Sequence, residues 1–220
     1  LEAVEGVPVI ACMLTNALDD PLCAADHRHV RRLVVATPGI PPAEQISWIR
    51  LIQPSARNIG LPCSDRSRRT AESLQAEATR VGLRVTVIRT SRDAFPQVMD
   101  ELVSQGCDGV LMIPDAQVYN LASVKRLLLW GVRQKKPVYA FSENLVKAGA
   151  LTALYTAPAD VARQVAALVD RVRGASDLSK LGLQYPDRVH RAVNVRTAEV
   201  LGLNIPQAVM QKVEARHGLE

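Results

Sequence analysis

Four pairs of polar residues carry most of the chemistry open to this sequence, and each pair follows an apolar run. Asp115 and Gln117 come after Val110–Ile113, and Ser64 and Asp65 after Ile59–Pro62. Ser142 and Glu143 come after Pro137–Phe141, and Asn16 and Asp20 after Val7–Leu14. Loops at the carboxyl ends of parallel strands are where open α/β sheets hold ligands. Asp115 and Glu143 can hold an ammonium group. Ser64, Ser142 and free helix N-termini can hold a carboxylate. Together they suit an amino acid or a similar small zwitterion, with no metal and no cofactor. Each group also has a structural alternative. Asp115 can cap the next helix, and Ser142 can be a plain N-cap, a role compatible with ligand contact.

Motifs for other chemistries are missing. The sequence has no Walker loop, no G-x-G-x-x-G, no G-x-S-x-G and no H-E-x-x-H. Asp19 with Asp20, or Asp115 with Glu143, are conceivable acid pairs, but nothing in the sequence fixes their separation, so no hydrolase follows. His27 and His29 would share a face if they lay in a strand, yet no acidic or cysteine ligand is suitably spaced. The run His27–Arg32 reads as a solvated basic loop. Arg66, Arg68 and Arg69 sit beside the Ser64 loop. They can grip a carboxylate or phosphate, or simply be a solvated helix start. Their position against the helix dipole makes a compensating anion worth testing. Cys12, Cys23, Cys63 and Cys107 form no C-x-x-C pair. Cys12 and Cys23 are open to bridging in an oxidising compartment, and isolated thiols are the other reading.

A chain of 220 residues accommodates one large domain or two small lobes. No apolar run reaches the ~18 residues of a membrane span. The formal charge of +5 permits contact with anionic surfaces without marking a nucleic-acid binder. At 4% aromatic content, stacking platforms for bases are not expected. No signal peptide is visible and the chain starts at Leu1, which reads as a processed or truncated product. Leu219-Glu220 is compatible with a cloning scar.

The elements that must position the polar pairs are regular. Pro42 opens a helix with Ile46, Trp48, Ile49 and Ile52 toward a core, ended by Pro54. Leu33–Thr37 is a short apolar run before it. Strands are predicted at Ile59–Pro62, Leu83–Ile88, Val110–Ile113 and Pro137–Phe141. Between them lie helices over about Arg68–Val81, from a cap at Asp93 to Gly106, and on the face Leu121, Val124, Leu128 and Val132. Such alternation predicts one parallel, helix-covered sheet. Leu151–Tyr155 is a further strand, Asp160–Arg173 a helix, Ala175–Asp187 a polar connector and Val189–Val195 a strand. Arg196–Leu201 and Pro206–His217 read as short helices.

Three stretches carry a family likeness. Phe141-Ser142-Glu143-Asn144-Leu145-Val146-Lys147-Ala148-Gly149-Ala150-Leu151 resembles a "SEE-hydrophobic-V-x-x-GAL" region. Ala192–Pro206 resembles "INLKTAKALGLxIP", and Asp20-Pro21 is similar to a "TDP" step, with Asp19 where Thr stands. They resemble the ABC-transporter substrate-binding family that includes tryptophan/tyrosine-binding members. The resemblance implies a type I periplasmic-binding-protein fold: two α/β lobes with parallel, helix-covered sheets and ligand in the cleft between them. It also implies a periplasmic or lipid-anchored extracytoplasmic protein that delivers a small solute to an ABC permease. On that pattern residues 1–55 form a partial lobe one and 56–153 lobe two. Residues 154–180 return to lobe one, and 181–220 return to lobe two with C-terminal helices. The first lobe is incomplete by this reckoning, because family members begin with more βα units. The helix Asp160–Arg173 would then lack cover for Val161, Val165, Leu168 and Val172, which makes a homodimer possible.

A solute-binding protein of an ABC importer is the first reading. The sensing core of a regulator or receptor shares the fold and is the alternative. An enzyme on a flavodoxin-like sheet ranks last, for want of a catalytic constellation.

Overall fold

The computed structural model describes residues 7–23, 33–175, 178 and 181–218. The basic run with His27 and His29 lies outside the described residues. In chain order the elements begin with β1 (Val9–Cys12), β2 (Leu33–Ala36), α1 (Pro42–Ile52), β3 (Asn58–Cys63) and α2 (Arg68–Arg80). Then come β4 (Arg84–Arg89), α3 (Phe95–Ser104), β5 (Gly109–Leu111), α4 (Leu121–Gln134), β6 (Val138–Ala140) and α5 (Glu143–Lys147). The chain closes with β7 (Thr152–Tyr155), α6 (Pro158–Gly174), β8 (Leu183–Gln184), β9 (His190–Asn194), α7 (Val195–Leu201), α8 (Gln207–Met210) and β10 (Ala215–His217). They form two compact units, Leu1–Ile40 with Thr156–Val189, and Pro41–Tyr155 with His190–Glu220.

The first unit holds a three-stranded parallel sheet ordered β1-β2-β8. Strand β8 lies inside the stretch read from sequence as a polar connector. It is only two residues long, too short for a periodic pattern. Helix α6 buries Val161, Leu168 and Val172. Leu168 and Val172 form a core with Val34, Ala36 and Leu178, and Val165 packs beside them. The apolar face of α6 is therefore covered within its own unit, contrary to the expectation from sequence. The reason that face gave for a homodimer falls with it.

The second unit is a seven-stranded sheet ordered β10-β9-β7-β6-β5-β3-β4. The predicted strands β4, β3, β5 and β6 are parallel neighbours, and β7 extends them. β9 runs antiparallel to β7, with β10 parallel to β9. Side chains alternate between two covered faces, as the pleat requires. Val110, Met112, Val138, Ala140 and Ala153 join Phe95, Val98, Leu102 and Leu127 in one core. Leu111, Tyr139 and Leu154 meet Trp48 and Ile49 of α1 on the other. Trp48 Nε1 donates to Thr152 Oγ1 at 2.9 Å, and Arg191 bonds Glu44 at 2.8 Å. These contacts tie α1 to the second unit, although residues up to 55 fall in lobe one on the family pattern. Ile46, Trp48, Ile49 and Ile52 are all buried there.

Three local expectations are corrected. Ala94, not Asp93, stands at the start of α3, with no side-chain cap and a proline in the first turn. Pro96 fixes that start by its own φ. Helix α4 buries Leu127, Leu128 and Gly131, leaving Leu121 and Val132 exposed. Gly131 sets this rotation, because a Cβ there would lie 2.9 Å from Lys136 O and 3.0 Å from a Val138 methyl. Finally, the stretch Pro206–His217 is helical only over α8, and its end pairs with β9 as β10. The edge of β9 supplies backbone partners that a short isolated helix would lack.

Gly60 of β3 lets α3 approach, since an added Cβ would sit 2.1 Å from Leu102 Cδ2 and 3.2 Å from Cys107 Sγ. Gly60→Val is predicted to destabilise the protein by about 1–3 kcal/mol through overpacking. Urea denaturation measures it, and an unchanged midpoint would contradict the close contact.

Candidate functional site

The strand order places β3 between β4 and β5, so the chain leaves β3 to one side first and to the other afterwards. This reversal is a topological switch point. The crevice outside the carboxyl ends of two such strands is the general ligand position in open α/β sheets. The exit loops of β3 and β5 meet there.

Asp115 joins them. Met112 and Ile113 carry the chain past β5 fully buried, and Pro114 prevents further ladder pairing. Asp115 follows, only 6% exposed. Its Oδ2 accepts from Ser64 N at 2.8 Å and from the Ser67 hydroxyl, and its Oδ1 accepts from Gln117 N at 2.9 Å. Ser64 Oγ in turn accepts from Arg66 N at 3.2 Å, capping the 3₁₀ turn Asp65–Ser67. Arg92, beyond β4, donates to Ala116 O at 2.5 Å. The β4, β3 and β5 exits are thus cross-linked by polar bonds. Beneath them Tyr119 donates to Pro62 O at 3.2 Å. Its ring lies 5.9 Å from Phe95 and 6.4 Å from Phe141, which leads into the β6 exit.

The β6 exit is built separately. Ser142 Oγ accepts from Leu145 N at 3.4 Å and caps α5. The Glu143 carboxylate bonds Lys147 at 2.9 Å, accepts from Tyr155 OH at 3.1 Å and lies 3.2 Å from His217 Nε2. Tyr155 stacks on His190 at 5.4 Å. Both carboxylates singled out from sequence therefore have donors of their own, and they belong to different clusters. Gln117 and Asp65 project outward, with Asp65 in an exposed ion pair to Arg89 at 2.6 Å. Such pairs contribute little. Arg68 pairs with Glu72 of its own helix at 2.9 Å, which supplies the negative partner its position calls for. Asn16 and Asp20 lie in the first unit, after β1. There Asn16 O accepts from Asp19 N at 2.9 Å and Asp20 N at 3.1 Å.

Ser67, Tyr119, Phe141 and Tyr155 were not singled out from sequence. Ser67 carried a faint signal, as a second hydroxyl three residues after Ser64 at a helix start. No local pattern marks the others: Tyr119 meets Pro62 and Phe95, Phe141 meets Tyr119, and Tyr155 meets Glu143, partners 12 to 57 positions away. Among the described residues no cluster of His, Cys, Asp and Glu could hold a metal, and Cys12, Cys23, Cys63 and Cys107 form no disulfide.

Charges follow this geometry. Burial pushes the Asp115 carboxyl up, but bonds from Ser67, Ser64 and Gln117 outweigh it, so the pKa is lowered. Glu143 is also lowered, foremost by its bond from Lys147, against burial and with help from Tyr155 and His217. The Tyr155 hydroxyl is pushed up to about 12 by burial and then by Glu143 and Glu214. A depressed carboxyl stabilises the fold above its unfolded value, near 3.8, and that stability is lost as pH falls through the lower folded value. Asp115→Asn is predicted to flatten this acid limb and to cost about 1–3 kcal/mol at neutral pH. Urea titrations from neutral to acid pH measure both, and an unchanged acid limb would contradict the bonding.

The family described as ABC transporter substrate binding protein matches residues 3–216, and the chain belongs to that family. A search of curated proteins returns no match. Among solved structures it is similar to an ABC domain in complex with L-Trp from Streptococcus pneumonia. The TM-score is 0.72 at 20% identity, over 98% of this chain and 75% of that one. A conserved domain protein from Vibrio cholerae O1 biovar El Tor gives 0.73 at 18% identity, over 98% and 73%. The ligand-free, open CD0873, a substrate binding protein with adhesive properties from Clostridium difficile, gives 0.73 at 16% identity, over 98% and 73%. At these identities the likeness establishes the fold, that of periplasmic binding proteins. Among the described residues no helix is long and apolar enough to cross a membrane.

Proposed function

We propose that this chain is the extracytoplasmic solute receptor of an ABC importer and binds a small amino-acid-like zwitterion. The observation that carries the site is the β3/β5 switch point, where Asp115 fixes the Ser64–Ser67 turn. In this reading Asp115 is a positioning residue. Its bonds hold the turn still, so a ligand meets a preformed surface and less ordering is lost on binding. Ser64, Asp65, Gln117, Ser142 and Glu143 offer polar contacts along the strand exits of the second unit. The chain acts by binding and release to a membrane permease, without catalysis and without nucleic acid. The family membership supports this role, and the L-Trp of one similar structure makes amino acids the first solutes to try.

Calorimetric titration with a panel of L-amino acids, tryptophan included, tests the proposal. One solute is expected to bind. Ser142→Ala and Gln117→Ala are each expected to weaken it by about fivefold, near the 1 kcal/mol of one net hydrogen bond. A solute bound equally well by both variants would place the site elsewhere.

A further inference from the structure

Helix α4 has an outward face that contributes no residue to the solute site proposed above. From residue 121 to residue 136 the chain has no acidic residue and has Lys125, Arg126, Arg133, Lys135 and Lys136. Lys136 lies 3.9 Å from Asp108. Lys125, Arg126, Arg133 and Lys135 make no ion pair among the described residues. The same helix exposes large apolar side chains, Leu121 at 87%, Leu129 at 48% and Val132 at 42%. Between α3 and α4 runs a concavity of about 470 Å³ lined by Pro96, Met99, Leu129 and Trp130, with Arg126 and Arg133 also on its wall. Spacings of three and four residues bring Arg126, Leu129, Trp130 and Arg133 onto one side of the helix.

We propose that this groove docks an acidic segment of a partner protein, one that carries an apolar side chain between its carboxylates. Charge complementarity selects the partner, because the wall offers two guanidinium groups and no acid. Arginine matches carboxylates bidentately, and arginine and tryptophan are the residues on which docked segments most often depend. The concave floor favours a side chain that enters it. A planar anionic membrane would meet the protruding Leu121 and leave the groove empty. A second copy would bring the same positive face.

The test uses the whole chain and a fluorescent synthetic peptide with glutamates flanking a central leucine pair, followed by anisotropy. Binding is expected to weaken steeply with salt. It is expected to fall about tenfold or more in the Arg126→Glu/Arg133→Glu double variant, a loss of about 1.4 kcal/mol or more. A lysine version of the peptide is expected not to bind. The double variant changes exposed side chains only, and an unaltered melting curve and solute affinity show that fold and solute site are intact. Leu129→Asp is a second variant expected to weaken the peptide. Equal binding by wild type and double variant, or no binding at millimolar peptide, would overturn the proposal. So would arginine-dependent binding to phosphatidylglycerol vesicles without peptide binding, or arginine-dependent self-association in sedimentation.

Discussion

A carboxylate taken out of water must find donors, and in this protein Asp115 finds them on a strand other than its own. Leaving it unpaired would cost several kcal/mol, so the Ser64–Ser67 turn is held wherever Asp115 is held. The donors are the Ser64 amide, the Ser67 hydroxyl and the Gln117 amide. A carboxylate has about four acceptor positions, and three are filled from within. Little is left for a ligand ammonium. What the ionised group supplies is a fixed turn at the switch point of the sheet. The same logic applies to Glu143, whose oxygens serve Lys147 and Tyr155.

That turn is only as rigid as the sheet beneath it. β3 and β5 are covered on both faces, and the cover is close because small residues allow it. Gly60 admits Leu102 of α3, and Gly131 admits Val138 against α4. Rotating α4 to seat Gly131 has a second consequence. It turns Leu121, Leu129 and Val132 outward beside Lys125, Arg126 and Arg133, which make no ion pair among the described residues, and so makes the surface on which the docking proposal rests. Packing in the core and exposure at the surface are thus set by one contact.

Much of the fold was legible because it is written in local periodicity. The apolar runs at 59–62, 83–88, 110–113 and 137–141 gave strands that are parallel in one sheet. Pro42 marked a helix start and Gly106 a helix end. Features written in distant contacts were not legible. β8 is two residues long, β10 exists because β9 offers an edge, and α1 joins the second unit because Trp48 reaches Thr152, 104 positions away. The site shows the same division. Asp115 stood out as the polar residue ending a buried strand, yet its role depended on Ser67, 48 positions upstream. Sequence suggested that the two carboxylates face a ligand, and the geometry gives each of them protein donors first.

In the proposed function, solute binds at the carboxyl edge of the second unit's sheet, on loops fixed by Asp115. Amide resonances followed by two-dimensional NMR during titration with the solute selected by calorimetry test it most directly. Perturbed amides in this unit are expected to cluster at Ser64–Ser67, Asp115–Gln117 and Ser142–Glu143, while those at the opposite strand ends, such as Asn58, Arg84 and Gly109, stay still. Perturbations centred on those opposite ends, with the exit loops unmoved, would contradict it.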